Sequence, residues 1–313
     1  MNNTDYIAVT SKSFSKNELL RKELSVKYAH IKFNDQGLKL EGKLLIEFLK
    51  NCNKAIVGLE KFDAHNLPFL PKLEVISRFG VGLNGIDLDV LCDYNVRLSC
   101  VPGVNRLAVA ELTLSFMLML IRNSFHSSFQ LMQGKWNKSA GQQLTGKTIG
   151  IVGVNHIGKE VIRLLQPFQC RILVYDIIDL SYYCKNNGVE QINFDALVQQ
   201  SDIVSLHVPA TPKTFHMFND TVINKMKKSA FLINTARGEI VDQNALKKAL
   251  QNHIIAGAAL DVYQEEPVED KALLSLPNLI CTPHIAGNTQ ESELLMGRAA
   301  ILGLESAALP SVV

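Results

Sequence analysis

Short apolar runs alternate with amphipathic helical segments along almost the whole chain of 313 residues. In the first hundred residues the runs that resemble strands are 7–10, 30–33, 55–58 and 73–77. The alternation then restarts, and its strand-like runs are 149–152, 172–175, 203–208, 231–235, 255–261 and 279–282. Alternation of this kind predicts parallel sheets with helices on both faces, so the expected fold class is α/β.

The break between the two series predicts two domains. A helical stretch at about 104–130 separates them, and a helical segment at 289–304 is expected to pack back on the first half of the chain. We therefore predict two doubly wound parallel-sheet domains with a ligand-binding cleft between them. The first comprises 1–104 with 288–313, and the second comprises 105–287.

Composition narrows the classes of function. The 32 basic and 30 acidic residues leave a net charge of +2 without a basic patch, so a nucleic-acid partner is not expected. The strongest apolar run, 112–121, has about half of the roughly 20 residues of a membrane span, which favours a core helix and no membrane partner. The six cysteines lack Cys-x-x-Cys spacing and the chain begins without a signal-peptide pattern, so we expect reduced thiols, no metal site and a cytoplasmic location.

A glycine-containing turn follows the strand at 149–152 and opens an amphipathic helix. It has Gly153 and Gly158 in the places of the first and third glycines of a G-x-G-x-x-G fingerprint, and Asn155 in the place of the second. Backbone amides and the dipole at such a helix start favour a pyrophosphate. Asp176 ends the next strand, where an acid can bind the ribose hydroxyls and repel a 2′-phosphate. The pattern predicts NAD rather than NADP as the cofactor.

Three polar residues, Arg237, Glu266 and His284, follow three other predicted strands. Their local frames are NTARG at 234–238, ALDVYQEEP at 259–267 and TPHIAG at 282–287. Because ligands bind at the carboxyl ends of strands in open α/β sheets, we expect the three side chains to meet there. Arginine can clamp a carboxylate, histidine can move a proton near neutral pH, and glutamate can hold the histidine and favour its charged form. The group predicts redox or proton chemistry on a small carboxylic acid.

Six segments together resemble the D-isomer-specific 2-hydroxyacid dehydrogenase family. They are 77–84, 102–111, 153–158, 234–242, 257–262 and 282–287, and they keep the order and spacing of the family over nearly the whole chain. The residues in these segments are most similar to those of short-form phosphoglycerate dehydrogenases. The resemblance implies a flavodoxin-like substrate domain, a Rossmann domain for NAD, and a homodimer formed through the cofactor domain.

The resemblance also implies roles for individual residues. Arg237 would bind the substrate carboxylate and 2-oxo oxygen, His284 would be the general acid or base, and Glu266 would hold His284. The other residues expected to bind substrate are Arg78, Val81, Gly82 and Asn105. Those expected to bind the cofactor are Gly153, Asn155, His156, Ile157, Gly158, Asp176, Val208, Thr235, Ala236, Asp261 and His284.

The identity of the substrate stays open from the sequence. Relatives that use phosphoglycerate have an arginine after the third strand, where this chain has Gly58, and the cations available instead are Lys61, Arg78 and Arg106. Reduction of hydroxypyruvate or glyoxylate is therefore an alternative to 3-phosphoglycerate oxidation. Two further alternatives are an NAD-sensing, corepressor-like scaffold, against which the three intact polar residues argue, and oxidation of formate or phosphite.

Overall fold

The computed structural model describes residues 2–83 and 85–310, so Asn84, at the end of the 77–84 segment, lies outside the described residues. The chain divides into two compact units, Met1–Asn105 with Asn288–Val313, and Arg106–Gly287. Each unit contains one parallel sheet with helices, which confirms the predicted α/β class.

The first unit is built on a five-stranded parallel sheet in the order β2-β1-β3-β4-β5, a flavodoxin-like order. The strands are β1 (Asn2–Val9), β2 (Tyr28–Phe33), β3 (Lys54–Val57), β4 (Val75–Arg78) and β5 (Arg97–Ser99). The helices are α1 (Lys12–Lys16), α2 (Glu18–Lys27), α3 (Gly42–Leu49), α4 (Leu88–Asp93) and, from the end of the chain, α13 (Gln290–Ser306). The Ser77 hydroxyl on β4 donates to the Ala300 carbonyl on α13 at 2.7 Å, so the last helix lies on the first sheet.

The second unit is built on a seven-stranded parallel sheet in the order β12-β11-β10-β9-β6-β7-β8. The strands are β6 (Thr148–Val152), β7 (Arg171–Tyr175), β8 (Glu190–Gln191), β9 (Ile203–Leu206), β10 (Phe231–Asn234), β11 (Gly257–Leu260) and β12 (Leu279–Cys281). The helices are α5 (Arg106–Ile121), α6 (Ser124–Met132), α7 (His156–Leu165), α8 (Ser181–Asn187), α9 (Phe194–Gln200), α10 (Asp220–Ile223), α11 (Gln243–Gln251) and α12 (Lys271–Leu274). The strand order reverses between β6 and β9, which is the point where such sheets bind dinucleotides.

Apolar side chains cover both faces of each sheet. On β10, Leu232 packs into the cluster with Leu246 and Ile255, whereas the next residue, Ile233, packs into the cluster with Phe116 on α5. Successive strand residues point to opposite faces, so a continuous apolar run buries both sides of the sheet. The core therefore fixes the strands, and their carboxyl ends are free to present polar side chains.

The helical stretch expected at about 104–130 consists of two helices. The segment forms α5 and α6, which meet at an angle of 69°. Asn123, between them, has a left-handed φ of 52°, which an asparagine tolerates better than most residues but which ends an α-helix. In the described residues no single helix is long and apolar enough to cross a bilayer; α5 and α6 meet the length and composition test only when taken as one bent pair.

Candidate active site

The carboxyl ends of β10, β11 and β12, which are hydrogen-bonded neighbours, carry most of the candidate catalytic residues. Arg237 lies three residues beyond the end of β10, Asp261 directly follows β11, and His284 lies three residues beyond the end of β12. Parallel strands bring these ends to one edge of the sheet. The order of the strands thus places the three turns side by side.

His284 and Glu266 form a hydrogen-bonded pair. The His284 Nδ1 atom lies 2.7 Å from Glu266 Oε2, and the other carboxylate oxygen accepts the Tyr263 backbone N–H at 3.1 Å. Both side chains remain partly accessible, with 50% and 37% of their surfaces exposed. Because Nδ1 is directed at Glu266, the Nε2 atom is the one oriented for a further partner.

The backbone of His284 is in the left-handed region, with φ at 53°. A residue with a Cβ atom is rarely found there, and holding it costs on the order of 1–3 kcal/mol. The neighbouring carboxylate of Asp261, which is fully buried, accepts hydrogen bonds from the Ile285 and Ala286 amides at 2.8 Å each, and from the Thr282 hydroxyl at 2.5 Å. These three hydrogen bonds surround the His284 turn and hold its conformation.

Arg237 lies in a turn that depends on Asn234 and Gly238. The Asn234 side chain accepts the Ala236 amide at 3.0 Å and donates to the Arg237 carbonyl at 2.8 Å. A Cβ atom at Gly238 would lie 1.9 Å from the backbone of Tyr263, so only glycine lets the turn after β10 approach the segment after β11. The Arg237 guanidinium is half-buried and donates to the Ala236 carbonyl at 2.6 Å.

The β6–α7 turn has the close backbone packing of a dinucleotide-binding turn. Gly153 has a φ of 93°, and a Cβ atom there would lie 2.9 Å from the His207 backbone. A Cβ atom at Gly158 would lie 2.1 Å from the Gly153 carbonyl oxygen. Helix α7 begins at the exposed His156, and its dipole favours an anion there, although the Asn155 side chain accepts the Ile157 and Gly158 amides at 3.0 and 3.2 Å. These observations fit the pyrophosphate of NAD.

Asp176, just after β7, has the carboxylate that the ribose of NAD requires. One oxygen accepts the Val154 amide of the β6–α7 turn, and the other accepts the Ile177 amide, both at 2.8 Å. The side chain is half-buried and therefore keeps accessible lone pairs. No cation takes part in these hydrogen bonds, so nothing in them would compensate a 2′-phosphate.

The other residues expected at the cofactor site differ in accessibility. Val208 is half-buried after β9, whereas Thr235 and Ala236 are buried, and the Thr235 hydroxyl shares a 3.0 Å hydrogen bond with the Thr113 hydroxyl. The adjacent His207 side chain is fully buried against Ser205, and this burial lowers the pKa of His207 to about 3. His207 is therefore a neutral, structural part of the second sheet near neutral pH.

The residues expected to bind substrate in the first unit surround the end of β4. Arg78 is 4% exposed, and its Nε atom donates to the Gly82 carbonyl at 2.8 Å, so it braces the loop that contains Val81 and Gly82. Asn105 is the last residue of the first unit's main segment and is half-buried. In the described residues no group of three or more histidine, cysteine, aspartate or glutamate side chains could hold a metal ion.

Glu60, which the motif analysis did not single out, lies at the neighbouring strand end. Its Oε2 atom accepts the Gly58 amide at 2.6 Å, and the Phe79 amide beside it donates to the Val57 carbonyl at 2.9 Å. A negative charge therefore stands at the end of β3, next to the β4 loop. In the sequence, the signal for this residue was that the carboxylate of Glu60 follows Gly58, the end of the predicted strand 55–58, by two residues.

Comparisons with known proteins show the family to which the chain is related. The family model described as "D-isomer specific 2-hydroxyacid dehydrogenase, NAD binding domain" matches residues 114–286. A glyoxylate reductase from Korarchaeum cryptofilum is 36% identical over 263 residues, which cover 81% of this chain and 79% of the relative. A D-3-phosphoglycerate dehydrogenase from Methanocaldococcus jannaschii is 38% identical over 257 residues, which cover 81% of this chain but 49% of the relative.

A solved structure supports the same relationship. The pyruvate reductase of Chlamydomonas reinhardtii is 25% identical, with a TM-score of 0.86, and the superposition covers 99% of this chain and 98% of that one. The fold and the sequence therefore lead to one group of proteins.

Proposed function

The chain belongs to the D-isomer specific 2-hydroxyacid dehydrogenase family and is an NAD-dependent oxidoreductase of 2-hydroxy and 2-oxo acids; on that premise we propose that its substrate is small and unphosphorylated, of the glyoxylate or hydroxypyruvate type. The observation that carries the choice is the Glu60 carboxylate, which accepts the Gly58 amide where phosphoglycerate-using relatives have an arginine. The glyoxylate reductase among the relatives supports the choice, whereas the D-3-phosphoglycerate dehydrogenase does not.

We propose that His284 moves the proton and that Glu266 orients it. With Nδ1 held by Glu266 at 2.7 Å, His284 would donate from Nε2 to the 2-oxo oxygen during reduction and accept there during oxidation. The Glu266 carboxylate would stabilise the imidazolium ion, as an acceptor does for a protonated histidine. When bound, NAD supplies or accepts the hydride.

Arg237, in the second unit, would bind the substrate carboxylate through its guanidinium. In the first unit, we assign Val81 and Gly82 to substrate binding through their backbone amides. Arg78 would act by bracing the Val81–Gly82 loop, because its side chain is buried and donates to Gly82. Asn105 keeps the substrate-binding role that the resemblance implies.

The cofactor would lie on the β6–α7 turn, where Gly153 allows the tight turn, Gly158 allows α7 to pack closely on it, and Asp176 would bind the ribose. Asp261 would position His284, since its carboxylate is fully buried within the His284 turn. The remaining residues that we assign to the cofactor site are Asn155, His156, Ile157, Val208, Thr235, Ala236 and His284.

The charge of Glu60 would disfavour a phosphorylated substrate in two ways. The Glu60 carboxylate would repel a phosphate dianion. A phosphate bound there would also lose its hydrating water without gaining a hydrogen bond from a guanidinium. A pocket that lacks a partner for an added polar group of the substrate discriminates against it by about 10²-fold. The exposed Lys61 is the next cation along the chain.

The test follows NADH absorbance with glyoxylate, hydroxypyruvate, pyruvate and phosphohydroxypyruvate. We expect kcat/KM for phosphohydroxypyruvate to be at least about 100-fold below that for hydroxypyruvate. The variant Gly58→Arg with Glu60→Gln should narrow that ratio, and a Cβ atom at Gly58 meets its neighbours at 3.4 Å or more, so the fold should accept it. A wild-type preference for phosphohydroxypyruvate would overturn the choice of substrate and favour phosphoglycerate. If the protein bound NADH but reduced none of the acids, the result would favour the NAD-sensing, corepressor-like scaffold.

We also propose a homodimer formed through the second unit. Trp136 is 76% exposed and Met132 is 83% exposed, and Phe129 on α6 is 53% exposed. A partner copy would remove these apolar side chains from water. Light scattering after size exclusion should give twice the mass of 34.7 kDa for the wild type and a shift toward monomer for Trp136→Glu with Met132→Glu.

The six free cysteines support our assignment of the protein to the cytoplasm.

A further inference from the structure

Asn155 stands where the nucleotide fingerprint has its second glycine, and the backbone there does not require glycine. Its φ is −80°, an angle that any residue adopts, in contrast to the 93° of Gly153. A glycine at this position therefore contributes space rather than conformational freedom. Asn155 differs from glycine here because it places a side chain beside the first turn of α7.

The Asn155 carboxamide already binds the amides that an anion would use. Its Oδ1 atom accepts the Ile157 amide at 3.0 Å and the Gly158 amide at 3.2 Å, and its Nδ2 atom donates to the His207 carbonyl. The next amide, of Lys159, is bonded to the Asn155 carbonyl at 2.9 Å. Of the first three amides of the helix, two are thus occupied by one side chain.

We propose that the Asn155 side chain is an internal competitor of the NAD pyrophosphate, which must be displaced from the start of α7 before the phosphates can bind there. The proposal rests on NAD as the cofactor. The carboxamide mimics the anion by placing an acceptor oxygen on the same N–H groups. The consequence is a free enzyme whose turn is already ordered and whose affinity for NAD is lower than that of a chain with glycine at position 155.

The size of the effect follows from the capping hydrogen bonds that are lost on displacement. Replacing an asparagine cap by glycine changes an equilibrium constant about twofold, and displacement also breaks the hydrogen bond from Nδ2 to the His207 carbonyl. Asn155→Gly should therefore bind NAD and ADP-ribose at least about twofold more tightly than the wild type. Asn155→Asp keeps the cap oxygen, adds a negative charge and loses the Nδ2 donor to the His207 carbonyl, so it should bind both ligands more weakly.

Two controls separate competition from a general change in the fold. Adenosine lacks the pyrophosphate, so its affinity should be the same in the wild type and in Asn155→Gly. Asn193→Gly removes a cap of the same kind from α9, where Asn193 accepts the Ala196 amide at 2.8 Å. It should lower the thermal midpoint of the free protein slightly without changing the affinity for ADP-ribose.

The affinities of the full chain for NAD and ADP-ribose are measured by calorimetry. The affinity for adenosine is measured by its displacement of bound NADH, followed by NADH fluorescence. Tighter ADP-ribose binding by Asn155→Gly, with unchanged adenosine binding, is the expected result. Equal or weaker ADP-ribose binding by Asn155→Gly would overturn the proposal, because the carboxamide would then be a ligand of the pyrophosphate or irrelevant to it. Failure of the wild type and every variant to bind NAD or ADP-ribose would instead overturn the cofactor assignment, and the competitor with it.

Discussion

Replacing Asp261 by asparagine changes one atom in the turn that holds His284. The Asp261 carboxylate is fully buried and accepts three hydrogen bonds, from the Thr282 hydroxyl and from the Ile285 and Ala286 amides. Oδ1 accepts two of them and Oδ2 accepts the third. An asparagine can orient its single oxygen toward the pair, and its NH₂ group then faces the amide of Ala286, so that two donors meet.

The magnitude follows from that mismatch. Hydrogen bonds to a charged acceptor contribute about 1.5–3 kcal/mol each, and a buried donor without an acceptor costs about 1–3 kcal/mol. We therefore expect Asp261→Asn to lower the free energy of unfolding by about 2–4 kcal/mol. Because the turn holds His284 at a left-handed φ, its relaxation should also displace the imidazole, and a displacement of about 1 Å can lower turnover about 100-fold.

The assay combines urea unfolding with steady-state kinetics on the same preparations. Asp242→Asn is the matched control, since Asp242 caps α11 through the Asn244 and Ala245 amides at 3.0 Å, and asparagine caps a helix about as well as aspartate. The control should stay within about 0.5 kcal/mol of the wild type with an unchanged kcat. If Asp261→Asn matched the control in both stability and kcat, the assignment of Asp261 as the residue that positions His284 would be refuted.

Three other predictions concern single residues. His284→Asn should lower kcat by at least about 100-fold, because the proton donor is lost, while NADH binding measured by fluorescence stays near that of the wild type. Asp176→Ala should weaken NAD binding by about 10-fold or more and reduce the preference for NAD over NADP, as measured by the two Kd values. Burial holds the pKa of His207 at about 3, so between that value and about 6.5 the unfolded chain binds the extra proton and stability rises with pH. The wild type should lose about 2 kcal/mol of unfolding free energy from pH 7 to about pH 5, and His207→Gln should lose less in the same urea titrations.

Most strands that the sequence predicted have apolar side chains on both faces. β6, β9, β10 and β11 are buried along nearly their whole length, so their signal is a continuous apolar run. The two strands that were missed, β5 and β8, have three and two residues, and β8 consists of Glu190 and Gln191. Neither is long or apolar enough to show such a run, whereas the other two edge strands, β2 and β12, contain apolar residues and were predicted.

The residue types at the strand ends and one contact between them could be predicted, but the other contacts could not. Glu266 and His284 were expected to pair from the resemblance, and the distance of 2.7 Å describes that pair directly. Asp261 was expected at the cofactor, yet its carboxylate is enclosed by the turn after β12. Long-range contacts of this kind depend on how neighbouring strand ends are arranged, which the local sequence does not specify.

Asp176 and Asp261, in different parts of the second sheet, make the same kind of hydrogen bond to a neighbouring turn. Asp176, after β7, accepts the Val154 amide from the turn after neighbouring β6, and Asp261, after β11, accepts the Ile285 and Ala286 amides from the turn after neighbouring β12. Each ties one strand end to the next turn, so both turns are set by the same parallel sheet. The two differ in exposure: Asp176 is half-buried and Asp261 is fully buried. A half-buried carboxylate keeps lone pairs that a ligand can reach, whereas a fully buried one with three donors can act only through the turn it holds. This difference in exposure is why we assign Asp176 to the ribose and Asp261 to the position of His284.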